Sequence, residues 1–263
     1  MSLVEAFLLG LLQGLTEFLP VSSSGHLEIG KVILGVDAER SLFFTVAVHG
    51  ATVLSTLVVF RKEIFDLLFG LFKFSWNNET QFISKLLLSM IPVALVGLLL
   101  KDYVESLFTG NLLFVGAMLL ITASLLFFSS LVKSKTTKPI GFFDSFVIGI
   151  AQAIAVIPGI SRAGATISTG LLLKNNKEEV ARFSFLMVIA PIIGANLIEL
   201  YKGAPSVSTE MSIAPVVVGF VAAFVAGFIA CKWMINLIKR GKLVWFALYC
   251  SIIGIITIAS QLF

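Results

Sequence analysis

Apolar residues run along this chain in long blocks, separated by short clusters of Lys, Arg, Asp, Glu and Asn. A helix needs about 20 apolar residues to cross the hydrocarbon core of a bilayer. Six stretches have that character: roughly Ser41–Phe60, Ile83–Leu100, Leu112–Val132, Phe183–Tyr201, Ala214–Met234 and Leu243–Leu262. Two more regions, about Leu3–Gly35 and Phe142–Lys174, are apolar but broken in the middle. Pro20 with Ser22, Ser23, Ser24 and Gly25 interrupts the first, and Pro158-Gly159 with Ser161, Arg162 and Gly164 interrupts the second. No piece of either region is long enough to span alone, so both predict re-entrant or discontinuous helical hairpins. The expected fold is an all-α polytopic membrane protein with about six transmembrane helices and two such hairpins, forming one membrane domain over residues 1–263.

Composition agrees. The 263 residues are 58% hydrophobic and only 13% charged, where soluble domains run near a quarter charged. The aromatic residues are mostly Phe, 24 against 3 Trp and 3 Tyr, which suits helix surfaces facing acyl chains. The start, Met1 to Gly10, carries Glu5 and no basic residue, so a cleavable signal peptide is not expected. Cys231 and Cys250 lie far apart in apolar runs without metal-ligand spacing and read as packing residues. The net charge of +4 arises from loop residues and gives no nucleic-acid signature.

Those loop charges orient the chain. Alternating sides gathers Arg61, Lys62, Lys73, Lys133, Lys135, Lys138, Lys174, Lys177, Lys232, Lys239, Arg240 and Lys242 on one side. Lys101 and Lys202, beside Asp102, Glu105 and Glu210, fall on the other. The positive-inside rule then makes the basic side cytoplasmic and places both termini outside. The two broken regions also resemble each other: GLLQGLTEFLPVSS at Gly10–Ser23 parallels GIAQAIAVIPGIS at Gly149–Ser161, with Gln13 matching Gln152. An odd number of spans separates them, so repeats of roughly 1–132 and 139–263 are expected to be inverted, with a site where the breaks meet. Transporters use the same plan, so it does not by itself specify an enzyme.

An ionisable group at mid-membrane costs about 2.5–3.5 kcal/mol, and Glu17 and Arg162 both lie beside the breaks. A polar functional cavity accounts for both. Gln13 and Glu17, four apart on one helix face, offer an amide and a carboxylate oxygen that suit a hard cation such as Mg²⁺. An interhelical hydrogen bond is the equal alternative for Gln13. Ser22, Ser23 and Ser24 after Pro20, and Ser161 after Pro158-Gly159, are natural helix N-caps, and helix N-termini favour phosphate. Arg162 adds a bidentate phosphate donor. His26, within a turn of the serines, titrates in the range acid–base work requires. His49 stands alone in an apolar span and reads as structural, and Glu5 and Glu28 read as interfacial.

Glu17–His26, EFLPVSSSGH, preceded by Gln13, and Pro158–Thr166, PGISRAGAT, resemble the two signature motifs of the undecaprenyl-diphosphate phosphatases, also called bacitracin-resistance proteins. The resemblance extends over essentially the whole chain. It implies hydrolysis of undecaprenyl diphosphate to the monophosphate and inorganic phosphate at the outer face of the bacterial cytoplasmic membrane. That reaction recycles the carrier lipid of peptidoglycan synthesis, and extra phosphatase confers bacitracin resistance. On the matching positions it implies catalytic roles for Glu17, Ser23, His26 and Arg162. Ser22, Ser24, Ser161 and Thr166 would bind substrate, and Glu17 with Gln13 would hold a divalent cation, Mg²⁺ or alternatively Ca²⁺. Two positions depart from the pattern: Gln13 replaces a frequent glutamate, and Ala163 a frequent serine. The partners implied are the polyprenyl diphosphate and membrane lipids; the sequence specifies no oligomeric state.

Overall fold

A computed structural model describes residues 1–36, 42–108, 110–132, 137–194, 213–239 and 242–262. Arg40, Ser41, Lys133, Lys135, Lys202, Glu210, Arg240 and the 195–201 end of one expected span lie outside the described residues. Within them the chain is helical, without strands: α1 (Leu3–Phe18), α2 (Ser23–Leu34), α3 (Leu42–Val59), α4 (Arg61–Leu71), α5 (Asn78–Leu99), α6 (Lys101–Ser106), α7 (Leu112–Ser130), α8 (Phe142–Ile154), α9 (Arg162–Leu172), α10 (Lys177–Leu186), α11 (Ile213–Lys239) and α12 (Leu243–Leu262). Residues 189–194 are also helical.

Among the described residues four helices, α5, α7, α11 and α12, are long and apolar enough to cross a bilayer, and α3 with α4 makes a fifth span if the bent pair is one. Only 17–44% of the residues in the four straight spans are buried inside the protein, so most of their apolar surface faces outward. In water that would be untenable; in lipid it is the favoured state. The molecule is an all-α, multi-pass membrane protein. The stretch expected as one span from Phe183 is broken: α10 ends at Leu186, and helix resumes only after Val188. The Ser41–Phe60 stretch ends at a 72° bend into α4.

Local chemistry sets the boundaries of the two hairpins. Ser2 and Glu5 form a capping box that starts α1. Pro20 pushes Leu19 into extended conformation and ends it. Ser22 then adopts a positive φ of 72° and caps α2 by accepting from the Gly25 N–H at 3.2 Å. Ser161 caps α9 the same way, accepting from the Gly164 N–H at 3.0 Å. Each hairpin folds back on itself. The α2 helix returns along α1, where Gly30 meets the side chains of Leu9 and Leu12. In the second hairpin the entering and leaving segments are joined, by Lys138 N–H to Lys174 O at 3.2 Å and Asn176 N–H to Lys138 O at 3.0 Å. A segment whose two ends are hydrogen-bonded together enters and leaves at one face, so the second broken region is re-entrant rather than a discontinuous span.

Backbones approach closely where glycine permits it, the usual means of packing helices in lipid. A Cβ at Gly10 of α1 would lie 2.3 Å from the Gly219 carbonyl oxygen of α11. One at Gly149 of α8 would lie 2.4 Å from the Ser89 carbonyl oxygen of α5. The hairpin tips meet in the interior: Gly25 faces Gly159, and Gly164 faces the Pro20 carbonyl. Around this junction Phe18, Val21, Phe60, Ala163, Phe183, Phe185 and Met234 form the main apolar cluster. Cys231 and Cys250 are free thiols buried in that cluster, as packing residues should be.

Candidate active site at the junction of the two hairpins

Glu17 is the centre of the junction. It sits in the last turn of α1, with its side chain only 8% exposed, and it accepts hydrogen bonds from three residues. Arg162, the first residue of α9, donates from Nη2 to Oε1 at 2.6 Å. Ser23, the first residue of α2, donates from Oγ to Oε2 at 2.6 Å. Gln13, one turn back on α1, donates from Nε2 to the same oxygen at 3.0 Å. The two ionisable groups at the breaks therefore answer each other's desolvation, as charges in this environment must.

Arg162 is itself held from behind. Its Nη1 donates to the Ser184 carbonyl of α10 at 3.2 Å. The Ser184 hydroxyl lies 2.6 Å from that of Thr166, which also donates to the Arg162 carbonyl at 2.9 Å. Thr166 is fully buried, so its hydroxyl is committed within the protein and braces Arg162 and Ser184. Ser161 is likewise buried, with its N–H donating to Thr122 Oγ1 at 3.0 Å. Ser22 is buried beside Ser24, their hydroxyls 3.3 Å apart. Ser23, Ser24 and Arg162 are less enclosed and front the junction.

His26 is not placed on Ser23. Its Nδ1 lies 2.8 Å from the Ser22 carbonyl and its Nε2 lies 2.9 Å from the Tyr249 hydroxyl of α12. The serine hydroxyl meets a carboxylate instead of an imidazole. His26 follows within a turn, but Ser23 opens its helix and its side chain reaches back to α1. Sequence reasoning also missed Ser184 and Tyr249. Neither carries a motif, and Tyr249 sits in an apolar run with no signal beyond being one of 3 tyrosines.

Glu28 corrects an expectation: rather than meeting water, it is buried and paired with Lys31 at 3.3 Å. His49 Nδ1 faces the Thr45 carbonyl of its own helix at 2.8 Å, a structural contact. A cavity of about 270 Å³ lies elsewhere, among Leu67, Phe82, Lys85, Glu179 and Arg182, and none of the junction residues lines it.

Among the described residues no three His, Cys, Asp or Glu side chains cluster as ligands. Gln13 Oε1, however, is buried without a hydrogen-bond partner beside the Glu17 carboxylate. Mg²⁺ is commonly held by one or two protein oxygens with substrate phosphates supplying the rest. Gln13 and Glu17 fit that mode and no more demanding one.

Known proteins share the sequence that carries this buried carboxylate between a serine hydroxyl and an arginine. Residues 6–256 match the family described as Bacitracin resistance protein BacA. The chain belongs to that family. A relative from Parabacteroides distasonis, named undecaprenyl-diphosphatase, is 54% identical over 100% of this chain and 99% of its own length. One of the same name from Bacteroides thetaiotaomicron is 53% identical over the whole of both chains. Another, from Methanococcus vannielii, is 38% identical over 97% of this chain and 99% of its own. Membership of the bacitracin resistance family thus covers both hairpins and the spans between them.

Proposed function

We propose that this protein is an undecaprenyl-diphosphatase: it hydrolyses the phosphoanhydride of a polyprenyl diphosphate, giving the monophosphate and inorganic phosphate. The observation that carries the chemistry is Ser23 Oγ at 2.6 Å from Glu17, whose other oxygen is 2.6 Å from Arg162. Family membership and the shared name of the relatives support the substrate.

In this reading Glu17 takes the Ser23 proton as the hydroxyl attacks the terminal phosphorus. Arg162 keeps N–H donors beyond the two used on Glu17 and Ser184, and turns them to the phosphoryl oxygens. The first-turn N–H groups of α2 and α9 add partial positive charge from opposed hairpins. Gln13 and Glu17 would hold the divalent cation, which when bound neutralises phosphate charge. The isoprenoid tail lies along outward-facing apolar helix surface. Water attack without a phosphoserine is the rival route, with Ser23 then a phosphate donor. The close approaches at Gly10 and Gly149, at equivalent positions of the two motifs, support the inverted repeat. The site belongs to the outer side of the bacterial cytoplasmic membrane, where it returns carrier lipid to cell-wall synthesis and counters bacitracin.

Purified protein in detergent should release phosphate from undecaprenyl diphosphate. A chelator should abolish release, and excess Mg²⁺ should restore it. No release from an intact, folded preparation overturns the phosphatase reading; release indifferent to chelator overturns only the cation.

A further inference from the structure

Both ring nitrogens of His26 are committed, and the two commitments differ in kind. Nδ1 faces the Ser22 carbonyl oxygen at 2.8 Å. A carbonyl only accepts, so Nδ1 carries a hydrogen whether the ring is neutral or charged. A neutral ring therefore keeps its lone pair on Nε2. That nitrogen lies 2.9 Å from the Tyr249 hydroxyl, which donates to it. The rings stack with centroids 5.6 Å apart and planes 9° from parallel. His26 is 6% exposed and Tyr249 41%. The next residue along α12 anchors the helix at the break, its Cys250 thiol 3.7 Å from the Pro20 carbonyl. Ser23 is meanwhile served by Glu17, which leaves His26 without the serine proton to manage.

We propose that Tyr249 relays to His26 the proton released by the attacking water during turnover; this rests on the phosphatase reading above. In the second half of the reaction, water attacks the phosphorus bound to Ser23 and the P–Oγ bond breaks. The bond's electron pair goes to Oγ, which recovers the proton stored on Glu17. The proton lost by the attacking water passes to the phenol oxygen of Tyr249 as the phenol's own proton moves to Nε2. His26 becomes an imidazolium held at Nδ1 by the Ser22 carbonyl, and Tyr249 ends neutral. The reverse transfer returns the proton to water once phosphate has left. Glu17 thus handles the serine proton, and the His26–Tyr249 pair handles the water proton.

Tyr249→Phe keeps the ring stack and deletes only the hydroxyl. General acid–base groups contribute about 10²–10⁴-fold, and water can replace a phenol in part, so kcat should fall about tenfold or more with KM little changed. The solvent proton inventory should be less curved in Tyr249→Phe than in the wild type, because the proton moving between phenol and imidazole is gone. In a His26→Gln background, Tyr249→Phe should cost nothing further. Placing 3,5-difluorotyrosine at 249 preserves shape and hydroxyl and should change kcat alone, which covers the case of a poorly folding Phe variant. Unchanged kcat in both substitutions, or a Tyr249→Phe loss that persists undiminished without His26, overturns the proposal. Wild-type protein that releases no phosphate overturns the phosphatase reading instead.

Discussion

Arg162→Ala removes the 2.6 Å partner of Glu17 Oε1 and leaves a carboxylate whose side chain is 8% exposed. Removing one member of a buried ion pair costs about 3–5 kcal/mol, because the other charge is left desolvated. Glu17 Oε2 keeps its donors from Ser23 and Gln13, which argues for the lower end, about 3 kcal/mol. At about 2–4 °C per kcal/mol for chains near this size, thermal unfolding in detergent should move down by about 6–12 °C. Turnover should fall about 10²–10³-fold, the usual cost of one preorganised electrostatic contact. Arg162→Lys should also be slow, since an ammonium cannot bridge Glu17 and the Ser184 carbonyl in one fork. The decisive comparison is the double variant Glu17→Gln with Arg162→Met. It removes both charges, so it should recover most of the lost stability while remaining inactive. A double variant no more stable than Arg162→Ala would refute the claim that an uncompensated carboxylate causes the damage.

Ser23→Ala should lose nearly all activity, and rapid quenching with labelled diphosphate should trap phosphate on Ser23; substantial residual turnover without an adduct would leave water as the nucleophile. In intact cells an impermeant maleimide should fail to modify Lys73→Cys but should modify Ser2→Cys, with Cys231 and Cys250 silent because both are buried; the opposite pattern reverses the topology. Gly149→Leu should lower unfolding temperature and yield, since its Cβ meets the Ser89 carbonyl at 2.4 Å and overpacking alone costs about 1–3 kcal/mol. Gly97→Ala, where a Cβ meets nothing within 4 Å, should be neutral or stabilising; equal effects at both sites would refute the close-packing account.

The hairpin breaks were legible because Pro, Ser and Gly act locally: Pro20 ends α1 and Ser22 and Ser161 cap the next helices in the structure as the sequence predicts. Glu17 and Arg162 were legible because charge is costly in lipid wherever it stands. What they bond to was not, since that depends on how two hairpins 145 residues apart meet. The His26 geometry was not legible for a related reason. Helical spacing places residues on a face, but at the first residue of a helix the side chain can turn to the preceding segment. Tyr249, Ser184 and the bend at Phe60 carry no local mark at all, and the Glu28–Lys31 pair hid its burial behind a position near the hairpin's end.

The bond between Glu17 and Arg162 also bears on how the protein is made. The two residues are separated by 145 positions. At about 5–20 residues per second, Glu17 leaves the ribosome roughly 7–30 s before its counterion exists. Its other donors are neighbours: Gln13 precedes it by four residues and Ser23 follows by six. The first hairpin therefore carries its own temporary solvation for the carboxylate into the bilayer. Arg162 arrives to a partner already oriented, and docking of the second hairpin becomes the event that completes the site. Nascent chains halted before Arg162 should hold an inserted, catalytically silent half-site.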